Sequence, residues 1–142
     1  MVIKSAHLFA LAIVSAISIS ASARTATHIH ITMVGQSFSD DDKFAVESCN
    51  EHFRPSEQQL RHYFQHAYPV ERYFGNSPRY SQCYATGTVE FSDGNHGEWI
   101  INSGGAGGIT WPEGDSISIF FKHNKWVDPF SCTYGLSDAL EC

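Results

Sequence analysis

Residues 83–122 read CYATGTVEFSDGNHGEWIINSGGAGGITWPEGDSISIFFK, and the punctuation of this stretch decides the fold. Short apolar runs alternate with clusters of Gly, Asp, Asn and Pro. Residues 84–91 are a predicted strand and 92–95 a turn. A second strand, 97–103, points Trp99 and Ile101 one way and Ile100 the other. Residues 109–111 and 116–122 are two more strands across the turn 112–115, the last with Ile117, Ile119 and Phe121 on one face. Alternation of period two, broken by tight glycine turns, predicts an antiparallel meander.

Upstream, residues 27–33 (THIHITM) alternate as well, with Ile29, Ile31 and Met33 on one side, and predict a further half-buried strand. Residues 36–43 are polar and end in Asp40-Asp41-Asp42, a solvated loop or a helix start. Ser56 followed by Gln59 is a capping-box pattern. Leu60, Tyr63, Phe64 and Ala67 then recur at helical spacing until Tyr68-Pro69, because the residue before proline avoids the helical region. Residues 69–82 are turn-rich but carry Tyr73, Phe74 and Tyr80. The expected fold class is α+β: a four- or five-stranded antiparallel meander with one helix packed on one face and two disulfides.

The start of the chain predicts its compartment. Lys4 precedes the apolar run 8–19, and Ala21-Ser22-Ala23 forms an A-x-A cleavage pattern, so 1–23 are expected to be a signal peptide and 24–142 a single periplasmic or secreted domain. A membrane-spanning helix needs roughly 20 apolar residues; this run is shorter and contains serines. Residues 24–142 keep eight of the nine Lys and Arg residues and all fifteen Asp and Glu residues, a net charge of −7. The basic residues are scattered, which argues against a nucleic-acid partner. The acidic exterior suits a basic protein partner. All four cysteines, Cys49, Cys83, Cys132 and Cys142, lie in the mature chain, and in an exported domain they predict disulfides. Of the three pairings, Cys49–Cys83 with Cys132–Cys142 closes two local loops, adding about 4 and about 3 kcal/mol by chain entropy.

Candidate chemistry is sparse. His62 and His66 share the metal-chelating spacing of a zincin helix, but Tyr63-Phe64-Gln65 between them lacks its glutamate. Without a third ligand they are at most a weak metal site. His28 and His30 share a strand face near the mature N-terminus. The glycine run 104–108 lacks the Lys-Ser/Thr of a phosphate loop, and no cofactor is expected. It reads as a flexible hairpin connection or as a place where another backbone comes close. Asp93, Asp115, Asp128, Glu90, Glu98 and Glu113 surround the predicted turns, with His96 and His123 nearby, and two of them could form an acid–base pair. Acidic residues are ordinary at turns. The expected interaction surface is Gly104, Gly105, Gly107 and Gly108 with Trp111, Glu113 and Asp115, because loop aromatics concentrate at binding hot spots.

Cys83-Tyr84-Ala85-Thr86-Gly87, Trp99-Ile100-Ile101, the glycine run and Trp126-Val127-Asp128-Pro129-Phe130 resemble small exported proteins of Gram-negative bacteria, over roughly residues 49–130. Some proteins of that layout are periplasmic immunity proteins. The resemblance implies a periplasmic binder and carries over no catalytic motif. The expected function is non-catalytic: an immunity protein or inhibitor that neutralises a toxin or hydrolase attacking the cell envelope. The competing expectations are a small wall hydrolase using His and carboxylate residues, and a structural envelope protein.

Overall fold

In a computed structural model that describes residues 24–72 and 81–131, eight elements follow in the order β1 (Ala26–Ser37), α1 (Lys43–His52), α2 (Glu57–His66), β2 (Tyr68–Val70), β3 (Cys83–Phe91), β4 (His96–Asn102), β5 (Ala106–Thr110) and β6 (Ser116–Phe120). The strands form one antiparallel sheet in the order β1-β3-β4-β5-β6-β2. The α+β class and the meander β3–β6 match the sequence reading; the counts do not. Among the described residues there are six strands, not four or five, and two helices, not one. The expected leader 1–23, the aromatic residues Tyr73, Phe74 and Tyr80, and the Cys132–Cys142 pairing lie outside the described residues.

The two missed elements have physical causes. α1 starts where the acidic run ends: the Asp42 carboxylate accepts from the Phe44 and Ala45 amides and caps the helix. Its apolar face is only Ala45 and Cys49, too short to show as a period. β2 is three residues long and contains Pro69, which reads as a breaker. It is an edge strand, one of the few sheet positions where a missing N–H is tolerated. α2 has the expected box: the Ser56 hydroxyl accepts from the Gln59 amide, and the Gln59 side chain accepts from the Ser56 amide.

β1 is the opposite edge. Register shifts between Ala26 and His28, Ile31 and Met33, and Met33 and Gln36 interrupt its pairing with β3. Arg61 of α2 donates to the Ala26 carbonyl, and such bulges and covers discourage edge-to-edge association. Cys49 of α1 and Cys83 at the start of β3 form a disulfide, closing a loop of 34 residues. This is the first of the two expected pairings.

Both helices lie on one face of the sheet. That face carries Cys83, Ala85, Val89 and Phe91 of β3, Trp99 and Ile101 of β4, Ile109 of β5 and Ile119 of β6, all buried. Phe53, Leu60, Tyr63 and Phe64 pack on it from the helical side, and Trp126 and Phe130 of the segment after β6 complete the layer. Tyr63 and Trp126 rings are 5.3 Å apart, and Phe64 meets Trp99 edge-on at 6.2 Å.

Candidate functional site

No described helix covers the other face of the sheet. The strand registers arrange it in rows that run across the strands. The first is His28–Glu90–His96. The second is His30–Thr88–Glu98–Thr110–Ser116. The third is Met33–Thr86–Ile100–Gly108–Ser118–Val70. The fourth joins Gln36–Tyr84–Asn102 to Ala106–Phe120–Tyr68 through the Ala106 amide, which donates to the Asn102 side chain. Ile100, near the centre, is 39% exposed, Met33 44% and Tyr68 51%. Ile100 and Met33 stand beside threonines and serines, while Tyr84, Phe120, Val70 and Phe38 add further apolar surface toward the foot of the face. Alternation explains why they are there: Ile100 follows Trp99 and must point away from the core it fills.

The glycine run shapes this face. β5 begins at Ala106, three residues before the strand expected from sequence, and only 103–105 form the connection. The expected flexible loop is therefore mostly strand, and the close-approach reading of these glycines holds. A Cβ on Gly107 would lie 2.6 Å from the Ile100 carbonyl oxygen, and one on Gly105 would lie 2.2 Å from that of Phe121. β5 contributes only Ala106 and Gly108 to the lower half of the open face. The surface sinks there into a depression of about 260 Å³ that Ile100, Asn102 and Ser118 border. A second, of about 360 Å³, lies on the far side of Ile100 among Thr32, Thr86, Thr88, Glu98 and Thr110.

The residues expected to form one interaction surface divide between the two ends of β5. Gly104 and Gly105 belong to the β4–β5 turn, closed by the Gly105 amide on the Asn102 carbonyl at 3.1 Å. Trp111, Glu113 and Asp115 belong to the β5–β6 turn at the other end, about 17 Å away at the rise of a five-residue strand. Gly105 is buried, whereas Glu113 and Asp115 are exposed. Gly107 and Gly108 lie between, at the lower depression. The structure thus brings Gly107 and Gly108 together with Ile100, and separates both from the acidic turn.

The end with the acidic turn is tied by the first described residue. Arg24 lies 2.7 Å from the Asp93 carboxylate and 5.8 Å over the Trp111 ring, joining the β3–β4 and β5–β6 turns. Hydrogen bonds from Asn95, with Arg24 adding attraction, hold the Asp93 carboxyl below the usual carboxylate range. Trp111 is half-buried and packs on Phe91 at 6.0 Å. It is a structural wedge as much as a surface residue.

At the opposite end, Tyr63 donates its hydroxyl to the Gly105 carbonyl at 3.0 Å, and burial pushes that hydroxyl's pKa upward. Ser103 donates to Asp128 at 2.7 Å, Ser81 bonds Ser103, and the Trp126 indole N–H donates to the Ser103 carbonyl at 2.9 Å. Both serines are fully buried, so this network fastens the segment after β6 rather than presenting a nucleophile. His123 and Asp128 stand at this end and His96, Glu90, Asp93 and Glu113 at the other, so the expected turn carboxylates and histidines divide between the two ends; of them, Glu90 and His96 lie opposite each other across β3 and β4.

His62 and His66 face each other with ring centroids 4.3 Å apart. His28 lies 3.4 Å from Glu90. Among the described residues no three His, Cys, Asp or Glu side chains are grouped to hold a metal ion. Among the described residues, too, no helix is long and apolar enough to cross a membrane. Compared with protein-family models, curated proteins and solved structures, the chain matches none.

Proposed function

We propose that this protein is an exported, non-catalytic binding protein, an immunity protein or inhibitor of a basic hydrolase or toxin that attacks the cell envelope. The observation that carries the reading is the sheet face left bare by the described helices, with Ile100 and Met33 exposed among threonines on a disulfide-anchored frame. Contiguous exposed apolar surface rimmed by polar residues marks interaction sites, and Met33, Ile100 and Val70 share one row of this face. A sheet face also presents them at low entropy cost, because its backbone is already fixed. The net charge of −7 over residues 24–142 favours a basic partner by electrostatic steering. The Cys49–Cys83 disulfide fits an oxidising compartment outside the cytoplasm.

The test is protection. Cells exporting the protein are expected to survive a wall-degrading toxin delivered by neighbouring cells, and the purified protein to inhibit that toxin's hydrolase in stoichiometric amounts. Ile100→Glu, made on the open face, is expected to abolish both effects while leaving the fold intact. Full protection by the Ile100→Glu protein would remove the open face from the reading. Failure to protect against glycan-cleaving and peptide-cleaving enzymes alike would end it.

A further inference from the structure

α2 ends against the segment that follows β6; Tyr63 anchors the contact on Phe121 and Trp126, and the outer part of it is built from imidazole rings around Phe121. His66 stacks on Phe121 at 5.2 Å and 22°, and His62 meets the same ring at 5.6 Å. His123 approaches Phe121 from its own segment at 6.2 Å. His66 Nδ1 is 2.8 Å from the His62 carbonyl, and the His123 backbone lies close enough to the His62 ring to favour its charged form. The Gln59 side chain donates to the Lys125 carbonyl at 2.7 Å. We propose that this seam is a proton-sensitive latch: uncharged imidazoles seat residues 121–126 against α2, and acidification charges them and loosens the segment.

The charges around the seam have one sign. α2 contributes His62 and His66, and the segment contributes Lys122, His123 and Lys125. Glu57 and Arg61 form their own pair at 2.7 Å, toward the start of α2. The buried Tyr63 hydroxyl is occupied by Gly105. The charges acting on His62 are Lys125 and His66, with no carboxylate among the described residues to offset them. Loss of hydration against its neighbours lowers the His62 pKa most, then Lys125, then His66, and these outweigh the His123 backbone that raises it. A histidine pKa below the ordinary 6.5 means that the loosened state binds the proton better. The seated state is therefore favoured above pH 6.5 and loses ground as pH falls below it.

Loosening would travel, because the same segment holds the foot of the sheet. The Phe121 amide donates to the Gly105 carbonyl at 2.9 Å, and Trp126 reaches Ser103. Release of 121–126 would free the Gly104–Gly105 turn while β3 and β4 stay paired.

Amide hydrogen exchange on the oxidised protein tests this at about pH 7.5 and about pH 5.0, where histidine charge changes. Corrected for intrinsic rates, protection of 121–126 is expected to fall by more than about twofold at the lower pH, as in a sub-global opening, while β3 and β4 hold. The double variant His62→Gln/His66→Gln keeps neutral, polar side chains and should lose this difference. Unchanged protection in the native protein overturns the latch, as does an equal fall in the variant or an equal fall across the whole sheet. Should the variant not fold, the native protein decides alone. Its Trp126 indole N–H resonance must shift together with the titration of His62, and a resonance indifferent to it also overturns the proposal.

Discussion

Gly87 is the tightest point of the sheet, and replacing it with alanine should be the most damaging small change in the protein. It pairs with Ile31 beside the bulge on β1, where the register moves from Ile31 to Met33 while β3 advances one residue. A Cβ there would lie 1.9 Å from the His30 carbonyl oxygen and 2.6 Å from Cζ2 of Trp99. The indole is 2% exposed and has little room to retreat. The carbonyl belongs to a backbone and cannot rotate aside, so β1 must shift by more than about 1 Å and lose local pairing. Overpacking costs about 1–3 kcal/mol, and two lost ladder bonds at about 1 kcal/mol each bring the total to roughly 3–5 kcal/mol. Urea unfolding of the oxidised protein, followed by tryptophan fluorescence, should show a midpoint lowered by about 2 M. Gly94→Ala is the control. Gly94 sits at φ +83, and a Cβ there would meet nothing within 4 Å, so the change should cost only about 1–2 kcal/mol for its backbone conformation. A Gly87→Ala protein within about 1 kcal/mol of the native one, or no worse than Gly94→Ala, would refute the reasoning.

Four further outcomes follow from the same contacts. Removing the Cys49–Cys83 bridge by a double alanine substitution should cost about 4 kcal/mol for its 34-residue loop, measured by the same urea transition. Tyr63→Phe should cost about 1 kcal/mol, because the Gly105 carbonyl loses one of its two donors and keeps the Phe121 amide, and thermal unfolding would register this. The Asp93 carboxyl, held below its usual 3.8, stabilises the Arg24 tie above that pH and loses it as pH falls through the depressed value. A ¹³C titration of the carboxyl should show the low midpoint, and Asp93→Asn should remove the pH dependence of the Trp111 signal. Ile100→Glu should change stability by less than about 1 kcal/mol, as expected of a half-exposed strand position; circular dichroism and urea unfolding check that it separates binding from folding.

Much of this architecture was legible because period and punctuation agree along residues 83–122. Trp99, Ile100 and Ile101 alternate, Gly94 and Gly114 adopt positive φ in their turns, and the strands fall where the apolar residues do. The Cys49–Cys83 pairing and the Ser56 capping box were equally local signals. β5 was half hidden because its first residues are Ala106, Gly107 and Gly108, which have little strand propensity of their own. Gly107 has no side chain because the Ile100 backbone and the Tyr63 hydroxyl approach too closely for one, a tertiary cause that no window of sequence contains. α1 and β2 were hidden for the complementary reason: neither is long enough to show a period. The open face was half legible. Alternation puts Ile100 opposite Trp99, but only the strand order shows that Met33, Ile100 and Val70 lie in one row.

That strand order also bears on why a binder would use this face. Both ends of the sheet are committed to holding the fold. One is tied by Arg24 between Asp93 and Trp111, the other by Tyr63, Gly105 and the Ser103–Asp128 network. The helical face is filled by the aromatic layer around Tyr63, Phe64 and Trp126. Changes in any of these places act first on stability, and a domain of this size has about 5–15 kcal/mol to lose. Thr86, Thr88, Ile100 and Thr110 are different: their backbones are fixed by pairing on both sides, while their side chains carry little of the core. A surface of that kind can change its side chains to follow a changing partner without unfolding its frame. An inhibitor whose target varies would need such a surface, and on the proposed reading its decisive residues would lie on the rows between the strands rather than in the turns.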